Sequence, residues 1–307
     1  MEFAFTPEQE ELRREARSFL AATPEPTWDQ LVELGWVGVS IPEKHGGLGL
    51  GFLEEAVLLE ETARALMPGP WFATTVLAQP ALEPEALARV AAGEERWSAV
   101  VGGLVPSLGE VDRVLTGDGP VAARGEAERT MDESRPLGRL AAPDAAIDRP
   151  RVLAACALEA VGVGGRALEL GVEHARTRQQ FGRPVGVFQA VSHALATTFV
   201  ELETARSVAL WAAWCVAEGD PQAPVAAAAA KAKATEAAVA ACERSIQVHG
   251  GIGFTWEHVL HRLYKRAQWL ESFAGYPSVH RAAVAAALLD TVPEHEAEQD
   301  GVPSVVA

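Results

Sequence analysis

Two stretches combine the residue types that hold phosphates and rings. "RTRQQFGRPVGVFQA" (residues 176–190) sets cations, amides and an aromatic in a loop with Gly and Pro between two helical stretches. Arg178 there offers a forked donor that can pair bidentately with a phosphate, and Phe181 can cover a ring; a solvated interhelical loop would use the same residues. "QVHGGIGFTWEH" (247–258) places Gln247 at the end of an alanine-rich helix and follows it with the adjacent glycines Gly250 and Gly251. Such glycines permit close backbone approach to a ligand, and a helix opening at Thr255 would present free N–H groups to an anion; a plain glycine C-cap is the alternative. A third stretch, "SFAGYPSVHR" (272–281), follows a long amphipathic run where a helical enzyme could keep its chemistry, yet it contains no carboxylate.

Other chemistry is excluded by spacing. His258 and His261 lie three apart on one helical face, but no third ligand follows at helix spacing and neither sits in an H-E-x-x-H pattern, so no metal is expected. The glycine-rich loop His45 to Gly51 lacks a preceding strand and a P-loop lysine, and reads as a turn.

The elements that must position these stretches are mostly helical. Thr6, Pro7 and Gln9 form a capping box with proline at the first helical position, and Leu12, Ala16, Phe19 and Leu20 follow at helical spacing. Trp28 to Leu34 predicts a short helix stopped by Gly35, and Phe52 to Leu66 a longer one, before "MPGPW" breaks the chain. From Trp97 to Pro150 short β-like runs (Trp97 to Val101, Val111 to Leu115) alternate with Gly, Pro and a polar stretch over 127–135. Beyond Pro150 helices are predicted over 151–176, 188–218, 225–248, 255–271 and 277–290, enough for an antiparallel bundle. The expected division is a helical unit over 1–96, a short β segment over 97–150, a helical bundle over 151–290 and a disordered tail over 291–307.

Composition narrows the class. With 49% hydrophobic and 22% charged residues in 307 positions, the chain has material for a large core. A net charge of -16 argues against nucleic acid or an anionic membrane as partner, since both are held by clustered cations. Cys156, Cys215 and Cys242 lie in apolar helical stretches without C-x-x-C spacing, which suits buried thiols in a reducing compartment. The acidic N-terminus has no signal-peptide core, and the longest charge-free apolar run, Val208 to Ala217, is too short to span a bilayer, so a cytoplasmic location is expected.

Four segments in order, "FTPEQEELRREARSFL", "LGWVGVSIPEKHGGLGLGFLEEAVLLEETARAL", "HARTRQQFGRPVGVFQAVSHALA" and "QVHGGIGFTWEHVLHRLYKRA", resemble the acyl-CoA dehydrogenase family, in particular the actinobacterial type used on bulky acyl or steroid-derived thioesters. The resemblance implies a mainly α fold: an N-terminal helical domain, a middle β-barrel and a C-terminal four-helix bundle, with FAD at a subunit interface. Arg178, Gln180 and Phe181 match the family's R-x-x-F-G loop, and Gln247, Gly250 and Gly251 its Q-x-x-G-G turn; in the family these reach the ADP half of the neighbouring subunit's FAD.

Three departures accompany the match. The family's usual base is a glutamate directly before a glycine; here ungapped counting puts Ala274 there, followed by Gly275. The alternative base position of some members, early in the first bundle helix, falls near Val152. The middle segment, with "WSAVVGGLVPSLGE" where the family places flavin-contacting residues, is about fifty residues long, less than half of a full barrel. The resemblance therefore implies a subunit that completes an FAD site in an α2β2 heterotetramer with a homologous catalytic chain, for α,β-dehydrogenation of an acyl-CoA. Two other readings remain open at the sequence level. One is an active homomer with Glu159 as an unusual base, two turns (about 10.5 Å) beyond Val152 on the same helix face, although an arginine partner would explain Glu159 equally well. The other is a helical assembly protein without flavin.

Overall fold

The computed structural model describes residues 5–289 apart from Glu126 and Arg129; the expected tail over 291–307 lies outside the described residues. Helix α1 (Pro7–Ala22) begins at the expected capping box, in which the Gln9 N–H donates to the Thr6 hydroxyl and the Thr6 N–H to the Gln9 carboxamide. Thr27 and Gln30 repeat the device at α2 (Trp28–Glu33). Helix α3 (Phe52–Arg64) is buried along most of its length.

The chain does not stay broken after "MPGPW". Ala73–Ala78 forms wide π-helical turns and α4 (Pro84–Ala91) follows. All six residues of the wide turns are buried. They are fixed by contacts remote in sequence, since the Thr74 hydroxyl both accepts from the Trp97 N–H and donates to the Trp97 carbonyl, each at 3.0 Å. Tertiary contacts of that kind leave no local sequence signal.

The middle segment holds five strands of three or four residues: β1 (Trp97–Ala99), β2 (Leu104–Pro106), β3 (Arg113–Thr116), β4 (Gly119–Ala122) and β5 (Leu137–Arg139). β3 pairs parallel with β1 and antiparallel with β4, while β2 and β5 form a separate antiparallel pair; among the described residues neither sheet closes into a barrel. Val100, Val105, Leu108, Val111 and Val114 give this segment a small core of its own. Within the stretch 127–135, read as polar and irregular, Asp132 and Arg135 are nonetheless buried.

The bundle comprises α5 (Arg149–Thr177), α6 (Gln189–Ala217), α7 (Ala223–His249), α8 (Leu260–Ser272) and α9 (Pro277–Leu289). Between α5 and α6 the two-residue strands β6 (Gln179–Gln180) and β7 (Arg183–Pro184) make a hairpin. No helix opens at Thr255. A 3-10 turn occupies Gly250–Phe254 and α8 begins only at Leu260, so the expected free N–H groups of a helix start at Thr255 are not formed. The N-terminal helices and the bundle share one apolar core. The closeness of α3 to α5 depends on Gly162, where a Cβ would lie 2.1 Å from the Glu60 carbonyl oxygen. Beside it Glu55 pairs with Arg151 and accepts from Ser40 at 2.9 Å, tying the start of α5 to α3. Among the described residues no helix is long and apolar enough to cross a membrane, and the three cysteines are buried free thiols.

Candidate functional site

The R-x-x-F-G residues sit on the β6–β7 hairpin. Arg178 ends α5, its N–H donating to the His174 carbonyl and its own carbonyl accepting from the Val185 N–H, both at 2.8 Å. The hairpin tip needs left-handed backbone at Phe181 (φ 53°) and Gly182 (φ 76°), which pushes the Phe181 ring into solvent at 91% exposure. The ring meets Phe188 edge-on at 6.0 Å. Arg178 and Gln180 are exposed, and among the described residues no carboxylate lies within ion-pair reach of Arg178.

The Q-x-x-G-G residues end α7. Gln247 is exposed, and Gly250 leaves the helix at φ 63°, a conformation that favours glycine. A Cβ at Gly250 or at Gly251 would meet nothing within 4 Å, so the backbone there faces open space. Folding brings the two loops to the same end of the bundle: His174, one turn before Arg178, stacks on His249, the residue before Gly250, with ring centroids 4.2 Å apart. A forked cation, two amide side chains, an exposed ring and an open glycine backbone fit the ADP half of a dinucleotide, whose diphosphate needs cationic and N–H donors.

The positions where the resemblance puts a base are closed. Ala274 has left-handed backbone (φ 57°) in the turn between α8 and α9, and that turn's carbonyls point at cations of the bundle. Arg149 donates to the Ala274 carbonyl at 3.1 Å, and the buried Lys231 ammonium donates to the Glu271 and Gly275 carbonyls, both at 3.2 Å. Burial, with Lys231 as the next contributor, pushes the His280 imidazole beside Gly275 down to about 4. Val152 is completely buried.

Glu159 is fully buried and pairs with Arg135 at 2.5 Å, the structural role that the sequence left as its alternative. Arg135 lies over the rings of Phe72 and Trp269 at 4.3 and 5.0 Å, and Trp269 stacks on Phe273 at 4.5 Å. Arg266 completes the cluster through Asp132 at 2.5 Å. Burial opposes the Asp132 charge, but Arg266, Ser134 and Arg135 together hold its carboxyl below the usual range. In the middle segment the N–H groups of Gly102 and Gly103 both donate to the Asp144 carboxylate, at 2.8 and 2.9 Å.

Sequence reasoning missed the His174–His249 stack, the Asp132–Arg135–Glu159–Arg266 cluster and the Asp144 contact. Their partners are up to 134 positions apart, and no local signal marks them. A groove of about 270 Å³ between α1, α3, α5 and α6 contains four arginines, but Arg13, Arg17, Arg64 and Arg206 are paired with Glu60, Glu61 and Glu169.

A helical N-terminal layer, a small β segment and a bundle carrying these two loops at one end together define an acyl-CoA dehydrogenase fold. Comparison with known proteins agrees. Residues 6–84 match the acyl-CoA dehydrogenase N-terminal domain and residues 145–289 the C-terminal domain. The chain is 36% identical over 280 residues to acyl-CoA dehydrogenase IpdE2 of Mycobacterium tuberculosis, covering 81% of this chain and 83% of the relative. It is 34% identical to acyl-CoA dehydrogenase FadE34 of the same organism, covering 81% of this chain and 40% of that longer protein. One chain of the ChsE4-ChsE5 complex from M. tuberculosis superposes with a TM-score of 0.82 at 24% identity, covering 95% of this chain and all of that one. A steroid acyl-CoA dehydrogenase, the Tcur3481-Tcur3483 G363A variant, gives 0.78 at 28% identity, covering 92% and 98%. This chain belongs to the acyl-CoA dehydrogenase family.

Proposed function

We propose that this chain is a non-catalytic subunit of a heteromeric acyl-CoA dehydrogenase, lending its Arg178 hairpin and Gly250–Gly251 turn to an FAD seated mainly in a homologous catalytic chain. The observation that carries the reading is an asymmetry. The proposed ADP-side loops are open and carry an arginine with no ion-pair partner among the described residues, whereas the base positions are a methyl group at Ala274 and a buried isopropyl at Val152. Similar structures include a heteromeric complex, ChsE4-ChsE5, and another is a family member described as complexed with FAD.

In this reading FAD supplies the redox chemistry, accepting the β hydride of an acyl-CoA while the partner's glutamate removes the α proton. This chain's tasks are to neutralise the diphosphate with Arg178, to bring the Gly250–Gly251 backbone against it, and to shield it with Phe181 and the hairpin. A bulky or steroid-derived acyl group is the substrate class suggested by the steroid dehydrogenase neighbour. Glu159 as base is disfavoured, because deprotonating a substrate would require it to leave Arg135 and its buried site.

The test is flavin stoichiometry. Co-purified with its partner, the chain should give one FAD per heterodimer and two per α2β2 assembly, and alone it should turn over no acyl-CoA. Four flavins per tetramer, or robust turnover by the isolated chain that disappears in Glu159→Gln, would refute the reading.

A further inference from the structure

A diphosphate diester carries two negative charges, and Arg178 supplies one positive charge. The residues beside both loops are histidines. His174 on α5, His249 at the end of α7 and His258 in the turn before α8 form a ladder, with ring centroids 4.2 Å apart at 29° and then 4.5 Å apart at 58°. His174 lies one turn before Arg178, and His249 directly precedes the open Gly250–Gly251 backbone.

The hydrogen bonds fix which nitrogens are free. His249 Nδ1 is 2.7 Å from the Ser245 carbonyl, which can only accept, so Nδ1 carries hydrogen and Nε2 is the basic nitrogen. His258 Nδ1 accepts from the Leu260 N–H at 3.2 Å; protonation at Nδ1 would break that bond. The His258 Nδ1 lone pair is therefore engaged, whereas the His249 bond leaves Nε2 of that ring free of this contact.

Burial, then His249, Arg178 and His258, push His174 below the ordinary imidazole range; burial, then His249 and His261, do the same to His258. The ionisable groups acting on these two rings are Arg178 from the end of α5, His249 from α7, and His258 and His261 from the turn and the start of α8; among the described residues none is a carboxylate. Among the described residues, none of the groups acting on His174 and His258 favours their charged form, and an arriving dianion is the missing counter-charge.

We propose that the His174–His249–His258 stack is the proton-accepting wall of the diphosphate site, so that docking of the dianion draws one proton from solvent onto the stack. This rests on the assignment of Arg178 and the Gly250–Gly251 turn as the diphosphate anchor. The protonated stack and Arg178 then match the two charges of the ligand, and affinity is linked to pH. Because the charged form binds better, the dissociation constant falls as pH falls, about tenfold per unit for one proton taken up.

FAD is a suitable probe because both its phosphates are esterified and keep constant charge between about pH 6 and 8. Its dissociation constant from the complex of this chain with its partner is measured by recovery of flavin fluorescence. The expected wild-type constant rises with pH between pH 6 and 8, at a limiting slope of about tenfold per unit. In the His174→Gln/His249→Gln complex the slope should vanish, with affinity near the wild-type value at pH 8. Calorimetry of FAD binding to the wild-type apo-complex, in two buffers of different ionisation enthalpy, counts protons without any variant and should give one. Zero protons, a flat wild-type profile, or a slope that survives the double substitution would overturn the proposal. Arg178→Ala separates the two levels: it should weaken FAD binding at every pH. Weakening by Arg178→Ala with a flat wild-type profile discards only the histidine wall. Full FAD retention by that variant discards the anchor, and the wall with it.

Discussion

The two ends of the proposed site differ in how their polar groups are satisfied. At the Arg178 hairpin and the Gly250–Gly251 turn, the Arg178 side chain is exposed and no neighbour crowds the glycines, although the Gly250 N–H donates to the Ile246 and Gln247 carbonyls and the Gln180 amide to the Gln179 carbonyl. At the Ala274 turn and around Glu159, charged side chains are turned inward onto other parts of the same chain, although Glu159 Oε2, Arg135 Nε and Nη1 and Arg266 Nη1 are buried without a hydrogen-bond partner. Lys231 and Arg149 donate to the turn's carbonyls, Arg135 pairs with Glu159, and the Asp144 carboxylate accepts from the Gly102 and Gly103 N–H groups. A region built to receive a ligand leaves its hydrogen-bonding capacity exposed, where water satisfies it until the ligand arrives. A buried region without a ligand has only its own chain to pair its charges, and each polar atom left unpaired there costs stability.

The sharpest way to break this comparison is to damage each region and ask which property fails. Arg135→Ala leaves Glu159 buried beside Arg266, whose nearest nitrogen is 4.0 Å away. The expected loss is about 3–5 kcal/mol of folding stability, read from urea unfolding. FAD binding per folded molecule in the complex should not change. Arg178→Ala should do the converse, weakening FAD binding in the complex by about 2–5 kcal/mol while the urea midpoint stays put. A variant that shifts both properties together would show that the regions are not separable.

A smaller effect concerns pH. His280 is held near 4 in the fold against 6.5 when free, so the neutral ring is the form that the fold prefers. Its contribution is fully present above about pH 6.5 and is lost as pH falls toward 4, at up to about 1.4 kcal/mol per unit. His280→Gln should flatten this part of the stability profile and leave FAD binding between pH 6 and 8 untouched. The smallest change is expected at Ala274, whose φ of 57° disfavours a residue with a Cβ. Ala274→Gly should stabilise the chain by up to about 1 kcal/mol in thermal unfolding, without creating activity.

How much was legible differs by region in the same way. The residues of the open loops were readable because short motifs carry them: R-x-x-F-G and Q-x-x-G-G are contiguous, and Gly182 and Gly250 sit at positive φ, which favours glycine. The closed region was not. Residues 127–135 read as a polar connection because Asp132 and Arg135 are charged, and only Arg266 and Glu159 on bundle helices make their burial tolerable. Glu159 showed the same ambiguity from the other side. A carboxylate on an apolar helix needs a partner, but the sequence does not say whether that partner is an arginine or a substrate.

The sequence by itself determined the helices, since caps such as Thr6–Gln9 and Thr27–Gln30 and the 3.6-residue apolar repeat act within one or two turns. It also determined the family, through motifs in a conserved order along one chain. Only the tertiary structure decided the wide turns at Ala73–Ala78, the late start of α8, the stack of His174 on His249 and the burial of Asp132 and Arg135. Each depends on groups dozens of positions apart that meet only after the helices pack, and the free energy of burying or pairing a side chain is set by what surrounds it in space rather than by its neighbours along the chain.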